Sequence, residues 1–225
     1  MTRLFFAENV LNGALGSLYR CSETNRTTAN DESYNRSHTV MITKILIGLI
    51  AIIAIIGIFL IYAATRPADF RVERSATVAA STAALFEQVN DHHKFNLWNP
   101  FLKLDPNVKN IYSGPPAGVG AVCSWEGNRN VGAGSCTIIE SKPGELVRSR
   151  MDWKRPMEGT ATVDFTFEPS GDKTRVTWAM YGKNHFMGKV MSIFIDCDKM
   201  CGPQFEKGLA DLGKVAVASA ALAHQ

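Results

Sequence analysis

The chain has 225 residues, of which 46% are hydrophobic and 20% charged, with a net charge of +3 and a mean hydropathy of −0.03. That balance excludes a disordered polymer and a protein of many membrane spans, and the length fits one large domain or two small ones. No long basic run is present, so nucleic acid is not an indicated partner.

Residues 1–40 carry four basic and four acidic side chains and show neither a helical nor a strand period. They read as a disordered tail or as a mis-called extension, because Met41-Ile42-Thr43-Lys44 followed by an apolar run resembles a protein start. Ile45–Thr65 is a run of 21 residues without a charge. As a helix it would span roughly 30 Å, the thickness of a bilayer's hydrocarbon core. Lys44 and Arg66 bracket it and Tyr62 takes the place of an interfacial aromatic. The run predicts a single transmembrane helix over 42–65 and hence a single-pass membrane protein. A cleaved signal peptide competes, although its apolar region would be shorter, about 7–15 residues. A buried core helix would show a polar stripe, and this run has none. Basic residues flank both ends (Arg36 and Lys44, then Arg66, Arg71 and Arg74), so the side of the soluble domain stays open.

Past a short linker, Phe70, Val72, Ala76 and Val78 alternate with Arg71, Glu73, Ser75 and Thr77, the period of a strand with one buried face. Arg74 alone breaks the alternation. Ser81 is placed to cap a helix carrying Leu85 and Val89, and Asp91–Pro100 predicts a second short helix. Val119–Trp125 and Gly134–Glu140 flank a Gly-containing stretch and read as a hairpin. Leu146–Trp153, Thr160–Glu168 and Arg175–Tyr181 follow as strands separated by turn residues, which implies an antiparallel sheet. Val190, Phe194, Cys197, Cys201, Phe205, Leu209, Leu212 and Ala216 then recur at intervals of three and four, one face of a long helix. The stripe keeps phase across Gly202-Pro203, which predicts a kink there. The sum is an α+β domain over 68–222, preceded by one membrane helix.

This order of elements resembles the helix-grip fold of the SRPBCC superfamily, which includes START domains, pollen-allergen-like proteins and polyketide cyclases. Gly118-Val119-Gly120-Ala121, Ser124-Trp125-Glu126-Gly127-Asn128 and Val131-Gly132-Ala133-Gly134 look like the second hairpin of bacterial polyketide-cyclase-like members. Ile138–Pro143 and the helix from Asp198-Lys199-Met200 to Phe205-Glu206-Lys207-Gly208-Leu209 are similar too. The resemblance implies a curved antiparallel sheet wrapped around a long C-terminal helix, with a hydrophobic cavity between them.

Aromatic residues supply the first candidates for a site. Trp125, Trp153, Phe165 and Trp178 have parities that place them on one inner face with Met151, opposite Phe194 on the helix. Together they line a ligand cavity or fill a core. A hairpin turn between Arg129 and Asn130 sets Cys123 opposite Cys136 on that face, as a cross-strand disulfide or as two reduced thiols. Cys197 and Cys201 occupy stripe positions with no further ligand at metal spacing. Asp91-His92-His93 offers acid–base or metal chemistry or a plain surface, and Arg150, Asp152 and His185 are candidates for a cavity mouth. No nucleophile stands in a recognisable motif. The expectation is a membrane-anchored binding protein for a hydrophobic small molecule or lipid, with no cofactor and no metal implied. The competing readings are a cyclase-like enzyme on an apolar substrate and a protein-interaction module with a closed core. The pattern sets no oligomeric state.

Overall fold

A computed structural model describes residue 36 and residues 38–223. The expected N-terminal extension lies outside the described residues, apart from residue 36 and residues 38–40. The chain divides into two compact units, one ending at Ile61 and one beginning at Tyr62. The first holds most of helix α1 (His38–Thr65), long and apolar enough to cross a membrane, with a mean hydropathy of 3.1 over its most apolar 18 residues. Its large side chains stand out from the helix, with Ile45, Ile53 and Ile61 all at least 60% exposed.

In the second unit, β1 (Asp69–Val78) leads to α2 (Thr82–Asn90), α3 (His92–Trp98) and a 3-10 turn at Leu102–Leu104. Then come β2 (Lys109–Ser113), β3 (Val122–Glu126), β4 (Ala133–Lys142), β5 (Leu146–Arg155), β6 (Gly159–Ser170) and β7 (Lys173–Lys183), and finally α4 (Phe186–Phe194) and α5 (Cys197–Ala223). The seven strands form one curved antiparallel sheet in the order β1-β7-β6-β5-β4-β3-β2. The chain therefore closes on itself, with its first strand paired to its last. β4 carries a bulge between Ile138 and Glu140, which breaks the ladder and bends the strand.

Local chemistry sets the helix boundaries. The Ser81 hydroxyl accepts from the Ala84 N–H, and the Asp91 carboxylate accepts from the His93 N–H at 2.7 Å, so each short helix starts on a side-chain cap. The core lies between one sheet face and α2, α3 and α5. Phe205, Leu209, Leu212 and Ala216 of α5 are buried against Val72, Val176 and Trp178 of the sheet.

One expectation needs correction, and two features lie outside what the sequence pattern predicts. The C-terminal stripe belongs to two helices, because the Asp196 side chain accepts from the N–H groups of Asp198 and Lys199 and starts a new helix there. Pro203 sits inside α5, eight residues beyond the start of the break at Ile195. β2 is a strand that the sequence pattern does not announce. Arg74, the break in the β1 alternation, points to the helix side, where it donates to both carboxylate oxygens of Asp198 at 2.8 and 2.9 Å and to Glu206 at 2.8 Å. This clamp ties β1 to α5. It also requires Gly202, since a Cβ there would lie 2.1 Å from the Arg74 guanidinium.

At one end of the sheet three segments meet. Asp69 pairs with Lys183, and the Asn184 N–H donates to the Ala68 carbonyl at 2.7 Å. Trp153 pairs with Gly159 across the β5–β6 turn at the same end. The linker after α1, the start of α4 and this turn are therefore neighbours.

Candidate functional site

Strand register puts the expected residues on one face. Trp125 opposes Gly134, which opposes Trp153, and Cys123 opposes Cys136, which opposes Met151. Phe165 opposes Trp178 on β6 and β7, with Val147 as its neighbour on β5. The side-chain period of two then carries all seven to the face that holds the core.

The face has two halves. Around Trp178 it is filled. The Trp178 indole is 3% exposed and stacks on Phe205 of α5, with centroids 4.2 Å apart and planes within 5°. Phe165 lies 4.8 Å away, and Phe95, Trp98 and Phe101 present their edges at 5.8–6.2 Å. The expected partner, Phe194, is not there. It is the last residue of α4, which ends before α5 begins at Cys197, and it is 71% exposed. Strand parity alone passes over Phe95, Trp98 and Phe101 as ligand-face residues. Their signal is the three-residue spacing of Phe95 and Trp98 on one face of a short helix.

Within this aromatic box the Trp178 indole N–H is buried and has no acceptor among the described residues. An unsatisfied buried donor costs about 1–3 kcal/mol, so it is either a local weakness of the core or a handle for an oxygen brought by a ligand.

The other half is open. Trp125, Met151 and Trp153 are only half-buried; Met151 and Trp153 pack against the buried core and continue it toward the sheet end that carries the β5–β6 turn. The Trp125 ring lies across Gly134, where a Cβ would come within 2.7 Å of it, and its indole N–H donates to the Val131 carbonyl at 3.3 Å. Arg150 and Asp152 do not border this surface. They alternate with Met151 and Trp153, face the opposite side of the sheet and pair with each other at 2.8 Å. His185 immediately precedes α4 and is exposed.

The four described cysteines, Cys123, Cys136, Cys197 and Cys201, are free thiols. Cys123 faces Cys136 in the register expected from the hairpin. Desolvation pushes the Cys136 thiol up to about 12, against a hydrogen bond from Ser149, and burial raises Cys123 as well. Both are protonated at neutral pH, the wrong state for a nucleophile or a metal ligand. Among the described residues, no group of three or more His, Cys, Asp or Glu is placed to hold a metal.

A rim cavity of about 270 Å³ lies beside β2, lined by His92, His93, Tyr112, Pro115, Pro116 and Val122 among others. His93 stacks on Tyr112 at 3.7 Å, and His92 is buried with its Nε2 3.3 Å from the Ala121 carbonyl. Burial lowers the His92 pKa, with the Ala121 carbonyl and the Asp91 carboxylate opposing and His93 assisting. The folded state thus prefers neutral His92 while the unfolded chain protonates near pH 6.5. Stability is full above that pH and falls as the pH drops below it, until the folded-state value is passed. Urea unfolding at about pH 7.5 and about pH 5 should show this loss, and His92→Gln should flatten it; equal slopes in both chains would remove His92 as the cause.

Residues 69–216 match the model of a family described as "Polyketide cyclase / dehydrase and lipid transport". No curated protein matches the chain. A crystal structure of a hypothetical protein from Helicobacter pylori is similar at a TM-score of 0.50 and 11% identity, covering 66% of this chain and 89% of that one. A protein from Chromobacterium violaceum gives 0.48 and 16%, covering 67% and 98%. An aromatase/cyclase from a Streptomyces species gives 0.47 and 14%, covering 66% and 93%. At these identities the likeness concerns the fold alone.

Proposed function

The chain belongs to the polyketide cyclase, dehydrase and lipid transport family, and on that premise we propose that it is a membrane-anchored protein that binds a hydrophobic small molecule or lipid against the inner face of its sheet. Membership makes the domain one of the hydrophobic-ligand-binding or cyclase-like type. The observation that carries the finer reading is the half-buried surface of Trp125, Met151 and Trp153, of which Met151 and Trp153 pack against a filled aromatic core. Apolar carbon laid on it gains about 0.8 kcal/mol per CH₂ removed from water. Phe165 and Trp178 form the floor, with Cys123 and Cys136 beside it.

Binding is favoured over catalysis by the state of the ionisable groups on this face. Arg74 is held by two carboxylates, the two thiols are protonated, and His92 is kept neutral at the rim. No pair of them is set with opposed pKa values around the open surface, which an acid–base enzyme needs. The anchor is supported by the length and apolarity of α1.

Native mass spectrometry of the full chain, released from membranes in mild detergent, tests the reading. The expected spectrum carries a bound lipid or acyl-chain adduct. A chain that emerges only unliganded, and that takes up no fluorescent fatty-acyl probe after delipidation, overturns it.

A further inference from the structure

An apolar surface of the second unit lies on α4 and the residue after it, Ile195. The ten residues from Phe186 to Ile195 contain one charge, Lys189, and none of the α4 side chains is buried. Phe186 is 49% exposed, Met187 61% and Ile195 44%. Soluble surfaces rarely keep so many large apolar groups contiguous without a partner.

The register says where this helix is. Lys183, three residues before α4, pairs with Asp69, the first residue of β1. Only Arg66, Pro67 and Ala68 separate Asp69 from the end of α1 at Thr65. Four residue steps reach at most about 14 Å. Chain connectivity therefore keeps the start of α4 close to wherever α1 ends. The β5–β6 turn shares this end of the sheet and adds Met157, 45% exposed, between the exposed Lys154 and Glu158. Of the hairpin turns at the opposite end, Lys142–Glu145 and Ser170–Lys173 present no large apolar side chain, and the β2–β3 loop presents one, Val119. The two ends thus differ in the way that a surface lying on lipid differs from one facing water.

We propose that α4 and the β5–β6 turn dock on the lipid bilayer, seating Phe186, Met187, Ile195 and Met157 at the level of the headgroups. This rests on the reading of α1 as the anchor. It also gives the half-open Trp125–Met151–Trp153 surface a direction, since Trp153 stands at the same sheet end. A ligand would then enter from the bilayer without crossing water. The basic side chains Lys154 and Lys183 at this end suit anionic headgroups.

The test uses the full chain in vesicles of phosphatidylcholine and phosphatidylglycerol that contain a lipid with a diazirine on its acyl chain. After illumination, peptide mapping should find adducts in residues 184–196 and 154–158 as well as in α1. The double substitution Met187→Glu, Ile195→Glu should reduce the α4 adducts about tenfold or more, given the cost of taking a charge into lipid. It should leave labelling of α1 and the thermal melt unchanged. Adducts confined to α1 would uphold the anchor and overturn the docking. An unlabelled α1 would overturn the anchor and the docking with it. An α4 left unlabelled by lipid, in a chain that a bifunctional amine-reactive reagent joins to a second copy through Lys189, would show that a second copy covers this face, which also overturns the proposal.

Discussion

Replacing Trp178 by alanine is expected to cost about 3–5 kcal/mol, the range for deleting a fully buried large aromatic from a packed core. For a domain of this size that corresponds to a melting temperature lower by on the order of 10 °C. The indole is enclosed on every side by Phe95, Trp98, Phe101, Phe165 and Phe205, and rings held edge to face by several neighbours cannot collapse into the space. Phenylalanine at the same position separates two roles. It keeps an aromatic ring for Phe205 and Phe165 and deletes an N–H that has no acceptor, so the loss should stay under about 1.5 kcal/mol. If the N–H is the handle for a ligand oxygen, Trp178→Phe should melt close to the parent yet bind an acyl probe about tenfold less tightly, the equivalent of one hydrogen bond. Circular dichroism melts and probe titrations on both variants check this. An alanine variant that melts like the parent would mean that the box around Trp178 is not packed as described.

Much of this arrangement is legible in the sequence, and the physical reason is uniform. A strand with one wet face writes its phase every second residue, so the positions of Trp125, Met151, Trp153, Phe165 and Trp178 on a common face follow from parity alone. The Cys123–Cys136 register follows from the centre of the hairpin. The features that escape are those no local pattern carries. Arg74 breaks the β1 alternation because its partners lie 124 and 132 residues away. β2 is an edge strand of five residues whose Ile111 points outward at 68% exposure while Asn110 and Tyr112 point inward. Its apolar pattern is inverted, and nothing marks it as a strand.

The C-terminal stripe is the instructive error. Apolar spacing of three and four continues from Val190 to Ala216, so periodicity reads one helix. The separating signal is a single residue, Asp196, whose side chain captures the free N–H groups of the next turn. Because a new helix starts there, Phe194 stays on α4, and Phe205 is the residue that stacks on Trp178. A residue that satisfies the periodic rule can thus belong to a different element.

Substituting valine for Gly134 tests the open half of the face as Trp178 tests the closed half. In a strand this change ordinarily gains up to about 1 kcal/mol from β-propensity. Here a Cβ would lie 2.5 Å from the Asp152 carbonyl oxygen and 2.7 Å from the Trp125 ring. A backbone carbonyl in the β4–β5 ladder cannot step aside, so overpacking should win by roughly 2–4 kcal/mol, and the melt should fall accordingly. The ring can move, and a double-mutant cycle shows how much it contributes. Gly134→Val in a Trp125→Ala background should recover about 1 kcal/mol of the loss and no more, since the carbonyl clash stays. Full recovery would place the whole conflict in the ring. Binding gives a second readout. In the milder Gly134→Ala chain, Trp125 is pushed off the inner face while the core around Trp178 is left alone. Acyl-probe affinity should then fall more steeply than stability, the opposite ordering to Trp178→Ala. A Gly134→Val chain that melts like the parent would refute the close approach of the Trp125 ring and, with it, the shape of the surface on which the ligand is proposed to lie.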